Sequence, residues 1–347
     1  MTAPNRIMDF NPGNNWLKIS TIDMHTCGEP LRVFTEGLPD IPGKTILEKR
    51  KYFMENLDNI RTSIMFEPRG HADMYGAVIT EPVTDGADFG AFFMHNEGYS
   101  TMCGHAIIAL TKFAIETGFI RKDGDEQILE IDAPPGRIRS RAFMKDGKVE
   151  KVSFLNVPSF LLIENEMVDV PGIGRVMFDV AYGGAFYAFC DADRLGLNLD
   201  ASDYTRLIDY GRRIKSAVME NFRIDHPFEP DLSFLYGTIF YGAPFNPGHW
   251  SRNVCIFADG EVDRSPTGSG ISARAGLHYA RRELAPGKKV TIESIIGTTM
   301  DVEITVEVDY GGYRSVIPEI TGTAFFTGRN QFWVDPDDPL KNGFILR

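Results

Sequence analysis

The 347-residue chain is 43% hydrophobic and 24% charged, an ordinary globular balance with enough length for two domains or one large one. Its formal net charge of −12, with no basic cluster, disfavours phosphate backbones and anionic lipid, so neither nucleic acid nor a membrane surface is expected as a partner. No apolar run approaches the roughly 20 residues of a membrane-spanning helix.

The opening Met1–Trp16 (MTAPNRIMDFNPGNNW) has no basic start or apolar middle and reads as a loose leader rather than a secretory signal. Strand-like runs follow at Ser63–Phe66, Gly76–Thr80 and Ala91–His95, rich in β-branched, aromatic or alternating residues between Gly, Pro, Asn and Asp. Ala106–Ile115 (AIIALTKFAI) breaks that pattern: it is long enough for a helix and apolar on nearly every side, and Gly118 supplies a stop. Strands are expected at Gln127–Asp132, Arg137–Met144 and Lys148–Leu155, with turns at Pro134-Pro135-Gly136 and Asp146-Gly147. A second helix is expected over Ser269–Leu284, with Ile271, Ala275 and His278 on one face and a Pro286-Gly287 stop. Strands at Lys289–Ser294, Met300–Val308 and Tyr313–Ile317 follow it, with turns at Gly297 and Gly311-Gly312. Gly147 lies 44 residues beyond Cys103, and Gly311 lies the same 44 beyond Thr267. One supersecondary unit, a strand-rich shell around a buried helix, therefore occurs twice. The expected boundary is at Asn156-Val157-Pro158, with a tail after Gly322 free to cross back to the first half.

The two helices are opened by similar loops, His95-Asn96-Glu97-Gly98-Tyr99-Ser100-Thr101-Met102-Cys103-Gly104-His105 and Asp263-Arg264-Ser265-Pro266-Thr267-Gly268-Ser269-Gly270. Each sets a small nucleophilic side chain and then a Gly at a helix N-terminus. The first-turn N–H groups lack intrahelical partners and carry partial positive charge, which suits a carboxylate or phosphate. A thiol there should have its pKa lowered, making Cys103 a base or nucleophile near neutrality. Taken alone, Cys103 also reads as a small core residue, and Gly268-Ser269-Gly270 lacks the Lys of a P-loop and the full dinucleotide fingerprint. Two equivalent loops in a repeated chain say more: they predict two helix ends facing one cleft. The four cysteines (27, 103, 190 and 255) have no CxxC spacing and read as free thiols of a cytoplasmic protein, Cys190 and Cys255 as core. His25, His71, His95 and His249 show no metal-ligand spacing.

Both loops resemble the signature loops of the proline racemase family, as do Asp23-Met24-His25-Thr26, Glu67-Pro68-Arg69-Gly70-His71, Tyr182-Gly183-Gly184-Ala185-Phe186 and Asp338-Pro339-Leu340. The resemblance implies the diaminopimelate-epimerase-like α+β fold: two pseudo-symmetric domains, each a barrel-like shell around a central helix, with the site between them. Residues 16–156, completed by 322–347, would form one domain and 157–321 the other. It implies that the backbone N–H groups of Gly104, His105, Gly268 and Ser269 bind a carboxylate. It also sets His105 and Asp263 beside the substrate ring, Asp263 towards the ammonium. It calls for no cofactor and no metal, and for a small imino acid as ligand, with assembly as a homodimer. Racemases of this family carry Cys in both loops; here the second position is Thr267, a pairing the resemblance associates with trans-3-hydroxy-L-proline dehydration. Cys27 stands where the resemblance leads one to expect Gly.

The chemistry agrees with that pairing. Racemisation needs an acid–base group on each face of the α-carbon, and a thiol can serve in either state. A threonine hydroxyl is too weak an acid to form an alkoxide unaided. In trans-3-hydroxy-L-proline the hydroxyl and the α-hydrogen share one ring face, so Cys103 alone could remove the proton and then protonate the departing hydroxyl. Thr267 would close the other face, and the enamine formed would tautomerise to Δ1-pyrroline-2-carboxylate. The alternatives are a hydroxyproline or proline epimerase using one cysteine and a water, and a proline-analogue binding protein without catalysis.

Overall fold

The computed structural model describes residues 10–346, so the first nine residues of the expected leader lie outside it. The fold is α+β and strand-rich. Two parallel pairings enter each half of the chain, and parallel strands cannot be joined by a tight turn: each needs a crossover, most often a helix. Strand Glu29–Glu36 pairs in parallel with Tyr75–Thr80, and the crossover holds helices α1 (Ile46–Asn56) and α2 (Asp58–Met65). Phe89–His95 pairs in parallel with Glu126–Ala133, and α3 (Gly104–Glu116) is that crossover. In the second half Phe186–Asp191 joins Leu235–Gly242 through α4 (Tyr204–Asn221), and Ser251–Phe257 joins Lys289–Glu293 through α5 (Gly268–Ala280).

The antiparallel connections repeat too. Glu126–Ala133, Gly136–Lys145 and Lys148–Leu155 form one meander, and Lys289–Glu293, Thr299–Tyr310 and Tyr313–Gly322 another. Both final hairpins turn on paired positive-φ residues, Asp146-Gly147 (51° and 75°) and Gly311-Gly312 (62° and 85°), the geometry that matches strand twist. The meanders meet where Tyr313–Gly322 runs antiparallel to Lys148–Leu155. Strand Ala324–Val334 then crosses back and pairs along Leu17–Thr26.

The expected strands at 127–132, 137–144, 148–155 and 289–294 fall within a residue or two of those observed, but three expectations fail. Ser63–Phe66 is not a strand; it is the end of α2, where Ile60 and Ile64, one turn apart, are both buried. Helices α1, α2 and α4 were not anticipated, although Leu207, Gly211, Ile214 and Val218 of α4 are buried at helical spacing. The second central helix stops at Ala280, short of Leu284, with Arg282 left-handed at φ 62°. It is buried on nearly every side from Gly268 to Leu277 instead of presenting one apolar face. Even Arg274 is enclosed, its guanidinium bonded to Ser251 Oγ at 2.6 Å and Asn253 Oδ1 at 2.7 Å. Such pairing is what makes a buried charge tolerable. Helix α3 is enclosed equally, with Ile107, Ile108 and Leu110 fully buried, each contributing about 1.5–3 kcal/mol. No helix of the described residues is long and apolar enough to cross a membrane.

Candidate active site

The two central helices meet at their N-termini. A methyl group built on Gly104 would lie 2.9 Å from Gly268 Cα, and one on Gly268 would lie 2.9 Å from Gly104 Cα. Only glycine permits this approach. Around the contact is a narrow cavity of about 20 Å³, on the order of one water. It is lined by every residue the sequence singled out: Cys103, Gly104, His105, Asp263, Thr267, Gly268 and Ser269.

The two helix-opening residues are held differently. Cys103 caps α3 with extended backbone, its sulfur accepting the Ala106 N–H at 3.4 Å and lying 3.2 Å from His105 Nδ1. Thr267 sits at φ 67° and ψ 91°, an uncommon region for a β-branched residue that costs about 1–3 kcal/mol. Its N–H donates to Ser265 Oγ at 3.1 Å, and its carbonyl accepts the Ile271 N–H at 2.8 Å. Its own hydroxyl is buried without a hydrogen-bond partner. Asp263 accepts the Ser265 N–H at 2.7 Å, so the aspartate organises the loop as well as lining the cavity.

Electrostatics correct one expectation. Burial pushes the Cys103 thiol well above its ordinary value; the Ala106 N–H opposes this but does not outweigh it, and the carboxyls of Asp263 and Glu29 add to the rise. The helix N-terminus does stabilise a thiolate, as the sequence suggests, yet loss of water is the larger effect here. Burial also raises Asp263, against the Ser265 hydrogen bonds, and depresses His105 to about 3, leaving its imidazole neutral at pH 7.

Sequence reasoning missed part of the wall. Tyr75, Tyr187, Tyr236 and Phe257 supply aromatic surface, and Tyr187 Oη lies 2.7 Å from Ser269 Oγ. Cys190 is core, as expected, but Cys255, although fully buried in Ser251–Phe257, lines the cavity. Glu29, the first residue of its strand, lines it as well and accepts the Arg264 N–H at 2.7 Å. Its only trace in the sequence is a carboxylate in the tight loop His25–Pro30, a weak signal. In that loop Cys27 has φ 54°, a conformation that favours glycine, with its thiol donating to Thr299 O at 3.2 Å. All four cysteines are free. Of the histidines, His95 and His249 lie 3.3 Å from Glu261 and 2.8 Å from Glu293, respectively.

Comparison with known proteins agrees with this architecture. The chain is 50% identical to a trans-3-hydroxy-L-proline dehydratase of Colwellia psychrerythraea, over 96% of this chain and 94% of that one. It is 44% identical to a 3-hydroxyproline 2-epimerase of Burkholderia multivorans, over 95% and 98%. The crystal structure of a hydroxyproline epimerase from Agrobacterium vitis with bound trans-4-hydroxy-L-proline superposes with a TM-score of 0.90 at 28% identity, covering 96% of each chain. The proline racemase family model matches residues 21–345, and the chain belongs to that family.

Proposed function

We propose that the protein is a cofactor-independent dehydratase that converts trans-3-hydroxy-L-proline to Δ1-pyrroline-2-carboxylate. The observation that carries this reading is the asymmetry of the two touching helix ends, a thiol at Cys103 and a hydroxyl at Thr267 around one cavity. Relatives at 44–50% identity named trans-3-hydroxy-L-proline dehydratase support it.

The substrate carboxylate lies between the helix ends, where the N–H groups of Gly104, His105, Gly268 and Ser269 meet the negative charge that builds as the α-proton leaves. Asp263 takes the ring ammonium. Burial is the main cause of the raised Cys103 thiol, and the nearby carboxyls add to it; the bound cation opposes both, so substrate binding favours the thiolate that removes the α-proton. His105, neutral and 3.2 Å from the sulfur, positions it. Thr267 closes the opposite face. Loss of the 3-hydroxyl as water leaves the enamine, which tautomerises to the ketimine. Residues 16–156 with 322–347, and 157–321, act as two domains flanking the cavity, a division supported by the repeated pairing scheme. A homodimer in the cytoplasm completes the proposal.

Cys255 favours a second reading, epimerisation, because it is another sulfur on the cavity wall. It sits in a strand rather than at a helix end, and burial pushes its thiol well up. Incubation with trans-3-hydroxy-L-proline in heavy water decides between the two. A dehydratase consumes substrate and forms ketimine, detected with o-aminobenzaldehyde; an epimerase accumulates the α-deuterated diastereomer instead, and that result would overturn the proposal.

A further inference from the structure

Elimination needs a second proton transfer, because hydroxide leaves carbon poorly unless it departs as water. The sequence reading assigns that step to Cys103, but the cavity holds a group better suited to it. Glu29 is fully buried on the cavity wall. Its Oε2 is committed to the Arg264 N–H, whereas Oε1 is buried with no hydrogen-bond partner. A buried carboxyl oxygen left unpaired costs free energy unless a ligand or a proton satisfies it. The Thr267 hydroxyl is also unpartnered, but an alcohol is a far weaker acid.

We propose that Glu29 is the acid of the elimination, donating a proton from Oε1 to the 3-hydroxyl as the bond to C3 breaks. This deepens the dehydratase reading and rests on it. Cys103 takes the α-proton; the electron pair of that bond forms the Cα–C3 double bond, and the C3–O pair leaves with oxygen, which accepts the Glu29 proton and departs as water. The thiol and the carboxylate left behind reset when one proton passes from Cys103 to Glu29. No oxidant or other reactant is needed. The electrostatics favour the protonated form of Glu29. Burial raises the Glu29 carboxyl well above its ordinary range, and the negative charges of Asp263 and Asp73 raise it further against Arg264. Each further negative charge that develops in the same dry cavity, including a thiolate at Cys103, disfavours ionisation of Glu29 and keeps the proton on it. The other thiol on this wall, Cys255, is itself held neutral by burial.

The test varies the leaving group. Chloride departs without a proton, so trans-3-chloro-L-proline needs the base but not the acid. Glu29→Gln, which keeps an oxygen for the Arg264 N–H, should lower dehydration of trans-3-hydroxy-L-proline by about 10²- to 10⁴-fold. The same variant should lower chloride elimination by less than about tenfold, the α-proton step being intact. An equal fall for both substrates, or undiminished dehydration, would overturn the proposal. The wild-type enzyme gives an independent measurement: hydroxyl loss should decline at alkaline pH as Glu29 ionises while chloride loss persists, and parallel profiles would also overturn it. A wild-type protein that forms no ketimine from trans-3-hydroxy-L-proline overturns the dehydratase reading itself, and this proposal with it.

Discussion

The loops that open α3 and α5 occupy equivalent places in the repeated scheme, yet they are built on different principles. At the first, an extended residue offers its side chain to its own helix, so the sulfur at Cys103 is fixed by the Ala106 N–H and stays beside His105. At the second, the backbone of Thr267 is forced to positive φ, and Ser265 and Ile271 hold the strained turn while the hydroxyl is left without a bond. Both ends retain the feature that a carboxylate needs, a Gly and a first helical turn. Only the first has a readily ionisable side chain at the helix-opening position, Cys103 against Thr267. The comparison teaches that anion binding and proton transfer are separable properties of this site, the former belonging to the backbone and the latter to single side chains.

The largest test of that separation is Cys103→Ser. It keeps size and capping capacity but removes the ionisable sulfur, and ketimine formation should fall by about 10²- to 10⁴-fold. Substantial retained activity would show that proton removal does not belong to the first loop. Next, Thr267→Cys equips the second loop with the missing group; epimerised, α-deuterated substrate should then appear in heavy water beside a reduced yield of ketimine. Its complete absence would show that the strained backbone, not the side chain, sets the reaction. Gly104→Ala probes what the ends share. The new methyl would meet Gly268 at 2.9 Å, so thermal or denaturant unfolding should register a loss of about 1–3 kcal/mol, with weaker substrate binding as the ends are pushed apart. The smallest effect concerns Glu29. Because its pKa is raised by folding, the folded state binds its proton more tightly, and this contribution to stability is lost as pH rises above the unfolded carboxyl value of about 4.3. Glu29→Gln should remove that dependence. The stability of the variant relative to wild type should improve with increasing pH, by at most about 1.4 kcal/mol per unit, in denaturant titrations.

Much of this was legible in the residues because it depends on local signals. The uniformly apolar run from Ala106 announces an enclosed helix, and the Gly-bearing hairpin turns set the meanders. The crossover helices were harder to read. Alternating apolar residues suggest strands but not which strands lie parallel, and it is the parallel pairings of Glu29–Glu36 and Phe186–Asp191 that demand α1, α2 and α4. At the site, the paired loops pointed to Cys103 and Thr267, whereas Glu29 arrives on a strand distant in sequence and Cys255 sits in an apolar strand that reads as core, so no local pattern marks them. The misjudged ionisation of Cys103 has the same origin: a helix end can be read from sequence, but the dryness of the cavity around it cannot.

Strand Ala324–Val334 carries one more consequence. Its partner Leu17–Thr26 is made much earlier during synthesis, yet that edge stays open until about 300 further residues have been made. The segment holding α5 and its meander can close on neighbours already synthesised, so it is free to mature earlier. Folding should therefore finish on a strand made long before its partner, and that exposed β edge in the nascent chain is the point at which aggregation would compete with assembly.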